Sequence, residues 1–164
     1  MRVSIAIPTC ESKGRSVEFL DDLFRTIEIQ TFKDFEVVVS DHSKDDKLVD
    51  VIDDFQYKFD IKYVKNKNDF GNGPANTNNA IRNCSGDIIK VMFQDDFFYD
   101  DEALQKIHDS FDDEHDWLVC GSNHTQDDGH TFYWDLYPRW NDNIIRGVNT
   151  VSYTHLTLPT KRIV

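Results

Sequence analysis

Two adjacent carboxylates, Asp95 and Asp96, are the side chains whose type and position most directly suggest chemistry in this chain. They follow Ile88 to Phe93, a largely apolar run without a turn residue, which predicts a buried strand. Like charges beside apolar surface repel each other and lose solvation, so a counter-charge is expected there. Mg²⁺ binds one or two carboxylates together with substrate phosphates, so the pair predicts a divalent-cation site. The alternative is that both aspartates only end the strand and cap the next helix.

The elements that must position this pair alternate between strands and helices. Short apolar runs predict strands over residues 3–7, 35–40, 61–64, 88–93 and 117–120. Apolar residues at helical spacing predict helices over residues 19–27, 48–55, 75–83 and 103–111. Strands that alternate with helices in this way predict an α/β fold with a largely parallel sheet and helices on both faces.

Polar residues follow three of the predicted strands. Pro8-Thr9 follow the first strand, Asp41 follows the second, and the aspartate pair follows the central one. Ligands of such sheets bind outside the carboxyl ends of the strands, so these residues together predict one site. The sequence has no Gly-x-Gly-x-x-Gly after the first strand and no Gly-Lys-Ser/Thr loop, which argues against a dinucleotide fingerprint and a P-loop.

Composition limits the class of protein further. The 164 residues suit one domain, and the net charge of −12 disfavours nucleic acid as a partner. No run approaches the roughly 20 apolar residues of a membrane span, and the chain opens without a signal-peptide pattern. Three widely spaced cysteines indicate reduced thiols, and we therefore expect a cytoplasmic protein.

The ordered set of motifs resembles the family 2 glycosyltransferases, which have the Rossmann-like GT-A fold. The resemblance covers about residues 2–150. It rests on the strand Val3 to Thr9 with its Pro-Thr end, the run Gln30-Thr31-Phe32-Lys33-Asp34-Phe35-Glu36, Asp41, the helix start Gly71 to Ile81, the turn Ser85-Gly86-Asp87, and Gln94-Asp95-Asp96.

The resemblance implies an inverting, metal-dependent transfer of a sugar from a nucleotide-sugar, with a UDP-sugar as the expected donor. It implies Mg²⁺ or Mn²⁺ as cofactor and a carbohydrate or lipid-linked acceptor, which leaves peripheral membrane association open. The implied nucleotide-sugar-binding residues are Pro8, Thr9, Glu11, Asp41, Asn78 and Asp95, and the implied metal ligands are Asp96 and Asp95. The family's general base lies downstream of the acidic motif. We identify no match for it, and we expect Asp127, Asp128 and Asp135 to be solvated loop charges.

The chain departs from the family pattern at four positions near this site. Cys10-Glu11 stands where Tyr-Asn is usual, and Thr77 stands where an Arg is common. Asn76 and Asn78 lie on either side of Thr77, so the pyrophosphate is expected to contact amides and the metal rather than that Arg. His42 replaces a second Asp, and we interpret it as an exposed loop histidine rather than a metal ligand.

The end of the chain looks different from the rest. Residues 151–160 resemble a translated transposon-end sequencing adapter, although their composition also suits a native strand. We therefore expect a GT-A domain over residues 1–150, incomplete at its C-terminus, and a non-native tail over residues 151–164. Such a fragment would itself be inactive.

Two other functions were weighed against the transferase. A non-catalytic or incomplete nucleotide- and metal-binding domain of the same fold stays open as the alternative. A signalling receiver is disfavoured because the third strand ends in Val64-Lys65 rather than in a phosphoacceptor Asp.

Overall fold

The computed structural model describes residues 1–11, 14–111, 116–118, 120, 124–125, 131–133 and 162–163. The chain divides into two compact units, one formed by Met1–Leu118 with His155–Val164 and the other by Val119–Thr154. The second unit contains a short antiparallel pair, β5 (His124–Thr125) and β6 (Thr131–Tyr133).

The first unit is built on a parallel sheet. Its strands are β1 (Val3–Thr9), β2 (Phe35–Asp41), β3 (Ile61–Lys65), β4 (Ile88–Val91) and the two-residue β7 (Arg162–Ile163). They lie in the order β3-β2-β1-β4-β7, and every neighbouring pair is parallel. Its helices are α1 (Ser16–Glu28), α2 (Leu48–Phe55), α3 (Gly73–Arg82) and α4 (Ala103–Asp109). The predicted α/β fold with a parallel sheet is confirmed.

Both faces of the sheet are covered by apolar side chains. All seven residues of β1 and of β2 are buried, which is typical of parallel strands packed between two layers. On one face, Ala6 and Val38 form a cluster with Ala80 and Ile81 of α3. Elsewhere in the core, the ring of Phe24 in α1 packs against the rings of Phe55 in α2 and Phe59 after α2, at centroid distances of 5.2 Å and 5.6 Å. The ring of Phe59 also lies 5.9 Å, centroid to centroid, from that of Phe35 at the start of β2.

β1 continues through Pro8 to Thr9, two residues further than predicted. The carbonyl of Ala6 accepts a hydrogen bond from Met92, on the β4 side, whereas the carbonyl of Thr9 accepts from His42, on the β2 side. Because successive residues alternate between neighbours, Pro8 faces β4, which has already ended at Val91. The N–H that proline lacks is therefore not needed by the sheet.

Two predicted strands differ from the structure. The central strand ends at Val91 rather than Phe93, because the chain turns at Phe93, whose carbonyl accepts from the Asp96 amide at 3.0 Å. The strand expected over residues 117–120 is wrong for the residues that the structure describes there, since only Trp117 forms an isolated bridge.

Of the predicted tail, 151–164, the structure describes only β7, which pairs Arg162 and Ile163 with Ile88 and Ile89 of β4. The rest of that segment lies outside the described residues, as do Asp127, Asp128 and Asp135. No helix within the described part of the chain is both long enough and apolar enough to cross a membrane.

The start of β4 is held by a buried carboxylate. Glu36 accepts hydrogen bonds from the Ser4 hydroxyl at 2.5 Å, the Ser85 amide at 2.5 Å and the Gly86 amide at 3.2 Å. Burial raises the pKa of Glu36, but the bonds from Ser4 and Ser85 outweigh it and leave the pKa below its ordinary value. Gly86 is required here, because an added Cβ would lie 2.7 Å from the Ser4 hydroxyl and 2.8 Å from the Arg2 carbonyl.

We expect Gly86→Ala to lower the free energy of unfolding by about 1–3 kcal/mol, because the new methyl group overlaps backbone atoms that cannot move aside freely. Urea unfolding measures this. The matched control is Gly73→Ala at the start of α3, where an added Cβ meets nothing within 4 Å. That variant should differ from wild type by less than about 1 kcal/mol. Equal stabilities of the two variants would show that the contact at Gly86 is not tight.

Candidate functional site

The carboxyl ends of three strands meet at one edge of the sheet. The register places Pro8 beside Ser40, Thr9 beside Asp41, and Asp41 beside Lys65. The sheet therefore brings together Pro8, Thr9 and Asp41, three of the residues that the sequence predicted for one site.

Asp41 is fully buried at this edge and is surrounded by donors. Its Oδ1 accepts from the Ser43 amide at 2.7 Å, and its Oδ2 accepts from the Tyr63 hydroxyl at 2.8 Å and from Lys65 Nζ at 3.0 Å. Burial raises the pKa of Asp41, but the bonds from Ser43, Tyr63 and Lys65 more than offset it, so the pKa lies below its ordinary value. The carboxylate is therefore buried in its charged form.

The two side chains that contact Asp41 Oδ2 respond to its charge. Burial, and then the hydrogen bond to Asp41, raise the pKa of Tyr63 to about 12. Burial lowers the pKa of Lys65, but bonds to Asp41 and Asp46 outweigh it, and the net shift is upward. Lys65 also donates to the Asp45 carbonyl, so one ammonium group joins the ends of β2 and β3 to the loop before α2.

A buried amide on α3 ties the strand ends together. Asn76 accepts from the Ser40 hydroxyl at 2.7 Å and from Asn66 Nδ2 at 3.0 Å, and it donates to the carbonyls of Thr9 at 3.1 Å and Ser40 at 2.9 Å. All four bonding positions of the amide are used. Sequence reasoning named Asn76 as one of two amides beside Thr77 that would hold the pyrophosphate, and it assigned no role to Asn66. The available signal was asparagine inside a helix, where its propensity is poor.

Asn78 lies in the middle of α3. With Asn72, Pro74 and Ala75 it lines an open pocket of about 300 Å³. Asn78 is buried, and Asn72 caps the helix by accepting from the Ala75 amide at 3.1 Å. Thr77, which stands where the family resemblance expects an Arg, is also buried and donates to the Gly73 carbonyl at 3.1 Å.

His42 is buried, so its interpretation as an exposed loop histidine is wrong. Its Nε2 lies 2.6 Å from the Asn68 carbonyl, which can only accept, so this nitrogen carries the proton. Its ring centroid lies 5.5 Å from that of Phe70, and its backbone amide donates to Thr9 at 2.9 Å. The loop after β3, through Asn68 and Phe70, covers the His42 side chain, and the His42 amide bonds to the end of β1.

Asp95 and Asp96 lie on an exposed turn after β4. The expectation that burial in the strand desolvates the pair is wrong, because the strand ends at Val91 and the chain turns outward. Asp96 Oδ2 accepts from the Phe93 amide at 3.0 Å, which closes the turn. We name residues 93–96 the acidic turn.

The acidic turn was tested for its fit to the divalent cation that the sequence predicts. The described part of the chain contains no cluster of three or more histidine, cysteine, aspartate or glutamate side chains suited to a metal. Two adjacent exposed carboxylates fit Mg²⁺ or Mn²⁺ only when water and phosphate oxygens supply the remaining ligands. The residues present therefore fit an ion that arrives with a phosphorylated ligand.

Gln94, a residue to which the sequence gave no separate role, links the acidic turn to the end of β1. Its Oε1 accepts from the Thr9 hydroxyl and from the Cys10 amide at 3.0 Å. Its Nε2 donates to the Ser16 hydroxyl at 3.1 Å and the Cys10 carbonyl at 3.3 Å. Its signal in the sequence was a polar amide that interrupts an apolar run directly before two acids.

Glu11 lies in the same loop. Its backbone amide donates to the Ser43 hydroxyl at 2.7 Å, and its carboxylate accepts from the Gly14 amide at 2.6 Å. Burial, and then the charge of Asp41, raise the pKa of the neighbouring Cys10 thiol. The loop after β1 is thus bonded to the end of β2 through Ser43 and to the acidic turn through Gln94.

We expect Asp41→Asn to lower the free energy of unfolding at pH 7 by about 3–5 kcal/mol, because it leaves the Lys65 charge without its buried partner. The contribution of Asp41 is complete above its ordinary pKa of 3.8 and is lost as pH falls through the lower pKa of the folded state. Urea unfolding at pH 7 and below pH 3.8 should therefore show a smaller difference between variant and wild type in acid. Asp53→Asn on the exposed face of α2 is the control, and a pH-independent difference for Asp41→Asn would contradict the assignment.

Comparison with known proteins places this arrangement in a family. Residues 4–160 match the family described as Glycosyl transferase family 2. A relative from Campylobacter jejuni, GalNAc(5)-diNAcBac-PP-undecaprenol beta-1,3-glucosyltransferase, is 34% identical over 97 residues, which cover 58% of this chain and 30% of the relative. A second, the poly(ribitol-phosphate) beta-glucosyltransferase of Bacillus spizizenii, is 26% identical over 106 residues, which cover 64% of this chain and 16% of the relative.

Solved structures share the fold. A crystal structure of the S. aureus TarS fragment 1-349 in complex with UDP-GlcNAc aligns with a TM-score of 0.61 and 24% identity, covering 77% of this chain and 37% of that fragment. The same fragment in complex with UDP aligns with a TM-score of 0.59 and 22% identity, covering 66% of this chain and 31% of the fragment. The alignments thus cover 16% and 30% of the two curated relatives and 31% to 37% of the TarS fragment. The sheet, its polar carboxyl edge and the family match agree, and the chain belongs to the family 2 glycosyltransferases.

Proposed function

We propose that this chain forms the donor-binding part of an inverting glycosyltransferase that uses a UDP-sugar. The observation that carries the proposal is the linkage along one sheet edge, where Thr9 lies beside Asp41 in the register and hydrogen-bonds to Gln94 of the acidic turn. Thr9 thereby connects the buried acceptor Asp41 with the exposed carboxylates Asp95 and Asp96, at the edge where parallel sheets bind their ligands. TarS, which shares the fold, was solved with UDP and with UDP-GlcNAc.

The base of the nucleotide would bind near β1 and β2, with Asp41 accepting an N–H of the uracil and Pro8 and Thr9 forming the opposite wall. Asp41 already accepts from Ser43, Tyr63 and Lys65. A base N–H would therefore take the position of one of these donors. Lys65 is the candidate for exchange, because its side chain is 22% exposed, whereas the donor Ser43 is buried. Glu11, in the loop that Ser43 and Gln94 hold, would border the ribose.

The diphosphate would lie between α3 and the acidic turn. Asn78 and the amino end of α3 offer an amide and a partial positive charge to phosphate oxygens. Asp96, with Asp95 beside it, would hold Mg²⁺ or Mn²⁺, which when bound acts as a Lewis acid on the departing diphosphate. The proposed base and metal positions are joined through Gln94, which would keep the donor stretched across this edge.

Transfer with inversion requires an acceptor hydroxyl to attack the sugar carbon from the face opposite the diphosphate, assisted by a general base. In the family that base lies downstream of the acidic motif, and it is unassigned in this chain. The relatives named for a lipid-linked glycan and for poly(ribitol-phosphate) support a carbohydrate or lipid-linked acceptor. A role in polysaccharide synthesis in the cytoplasm, with peripheral association to a membrane, would follow from such acceptors.

The alternative is a nucleotide- and metal-binding domain that does not itself transfer sugar. The two functions are separated by transfer assays on the chain, since donor binding is expected in both.

We expect Asp96→Asn to weaken UDP binding in the presence of Mn²⁺ by at least about 10-fold, because the ion loses a charged ligand. UDP binding without metal should not change. Isothermal titration calorimetry with and without Mn²⁺ measures both quantities. Asp54→Asn, at an exposed position of α2, is the matched control and should bind as wild type does. Unchanged metal-dependent binding in Asp96→Asn would remove Asp96 from the metal site.

A further inference from the structure

The motif that joins α1 to β2, Gln30 to Glu36, contacts both ends of the segment that carries the acidic turn. At its far end, Glu36 accepts from the amides of Ser85 and Gly86, where the chain enters β4. At its near end, Gln30 contacts the chain beyond the acidic turn, at Asp100 and Leu104. The motif Gln30 to Glu36 thus bonds to both ends of the segment that runs from Ser85 to Leu104.

Gln30 is fully buried, and its side chain bonds only to backbone groups. Its Nε2 donates to the carbonyls of Asp100 at 2.7 Å and Thr26 at 3.0 Å, and its Oε1 accepts from the Leu104 amide at 2.9 Å. The Leu104 amide is one of the first amides of α4, which no carbonyl of the helix can satisfy. Gln30 therefore fixes the start of α4 and the loop before it at the same time.

Two threonines of the same region complete this contact. The Thr26 hydroxyl accepts from the Phe98 amide at 3.2 Å. Thr31 donates to the Asp101 carbonyl, at 2.7 Å from its amide and 3.1 Å from its hydroxyl. The end of α1 and the residues after it therefore hold the backbone at three successive points, Phe98, Asp100 and Asp101.

The acidic turn depends on such contacts because the chain on either side of it has little regular structure. The Met92 amide still bonds to the Ala6 carbonyl, but residues 93–102 form neither helix nor strand. On its N-terminal side the segment is attached through Gln94, which bonds to the loop after β1. On its C-terminal side it is attached through Gln30 and the two threonines described above. Asp95 and Asp96 lie between these two attachments and are exposed, so packing does not fix their position.

We propose that Gln30 is a positioning residue for the acidic turn and so for the metal and diphosphate part of the donor site. The inference rests on the proposed function, in which Asp95 and Asp96 hold the metal. Residues that hydrogen-bond to the segment carrying the metal ligands can change the affinity for the metal without contacting the ion themselves. Gln30 contacts neither Asp41 nor Thr9, so the base end of the site should not depend on it.

The test compares Gln30→Met with wild type, because methionine keeps the approximate volume of glutamine and removes its three hydrogen bonds. Gln56→Met, at an exposed position after α2, is the matched control. Calorimetry gives the Kd of UDP with Mn²⁺ and the Kd of uridine, which has no phosphate. We expect Gln30→Met to weaken UDP with Mn²⁺ by about 10-fold and uridine by less than about 2-fold.

Hydrogen exchange of the backbone amides gives an independent readout. The amides of residues 93–98 should exchange faster in Gln30→Met, whereas those of β1 and β2 should keep the protection of wild type. Equal weakening of uridine and of UDP with Mn²⁺ would overturn the proposal, because it would show a general structural role. Unchanged UDP binding by a folded variant would overturn it as well.

A milder variant serves if Gln30→Met does not fold. Thr31→Val removes only the hydroxyl bond to Asp101 and should weaken UDP with Mn²⁺ by about 2- to 3-fold, again without an effect on uridine. No selective effect in Thr31→Val would overturn the proposal. Absence of UDP binding in wild type would instead overturn the proposed function, and the two failures are thus distinct.

Discussion

The buried negative charge of Asp41 is the constraint on which the carboxyl edge of the sheet depends. A carboxylate without solvent is stable only when donors surround it, and here the donors come from β3 and from the turn after β2. Lys65 then bonds to Asp45 and Asp46, so the same charge orders the loop that leads to α2. One ionised group thereby determines the shape of the edge from β2 to α2.

Neutral amides extend this order across the rest of the edge. Parallel strands leave backbone carbonyls at their ends that the sheet cannot pair, and a buried carbonyl needs a donor. Asn76 donates to the Ser40 carbonyl and is a second donor, beside His42, to the Thr9 carbonyl, and Gln94 bonds to both backbone groups of Cys10. Amides suit this task because they donate and accept together without adding charge beside Asp41.

The same chemistry explains why charge and exposure differ between the two parts of the proposed site. Asp41 is buried and bonded to three donors, one of which the base would replace, whereas Asp95 and Asp96 lie on an exposed turn. An ion that takes most of its ligands from water and phosphate needs such exposure. Such a turn needs attachment from elsewhere: Gln94 within it bonds to the loop after β1, and Gln30 bonds to the chain beyond it at Asp100.

The sequence by itself determined the class of fold and the approximate elements. Apolar runs of strand length, alternating with helical stripes, predicted the parallel sheet, and Thr9 and Asp41 were predicted to share an edge because parallel strands end on the same side. The family was also predicted correctly, since its motifs occur in order along the chain. These features are local or depend only on spacing, so a linear pattern is enough to detect them.

Only the tertiary structure decided which polar residues are buried and what they contact. His42 was expected to be exposed, yet it lies between the Asn68 carbonyl and Phe70, and Asp95 was expected beside a buried strand, yet it is exposed. Asn76 and Gln30 reach residues 67 and 70 positions away in sequence, at Thr9 and Asp100. Hydrogen-bond partners at such separation leave no periodicity in the sequence, because they are set by where the folded backbone leaves a carbonyl or an amide unpaired.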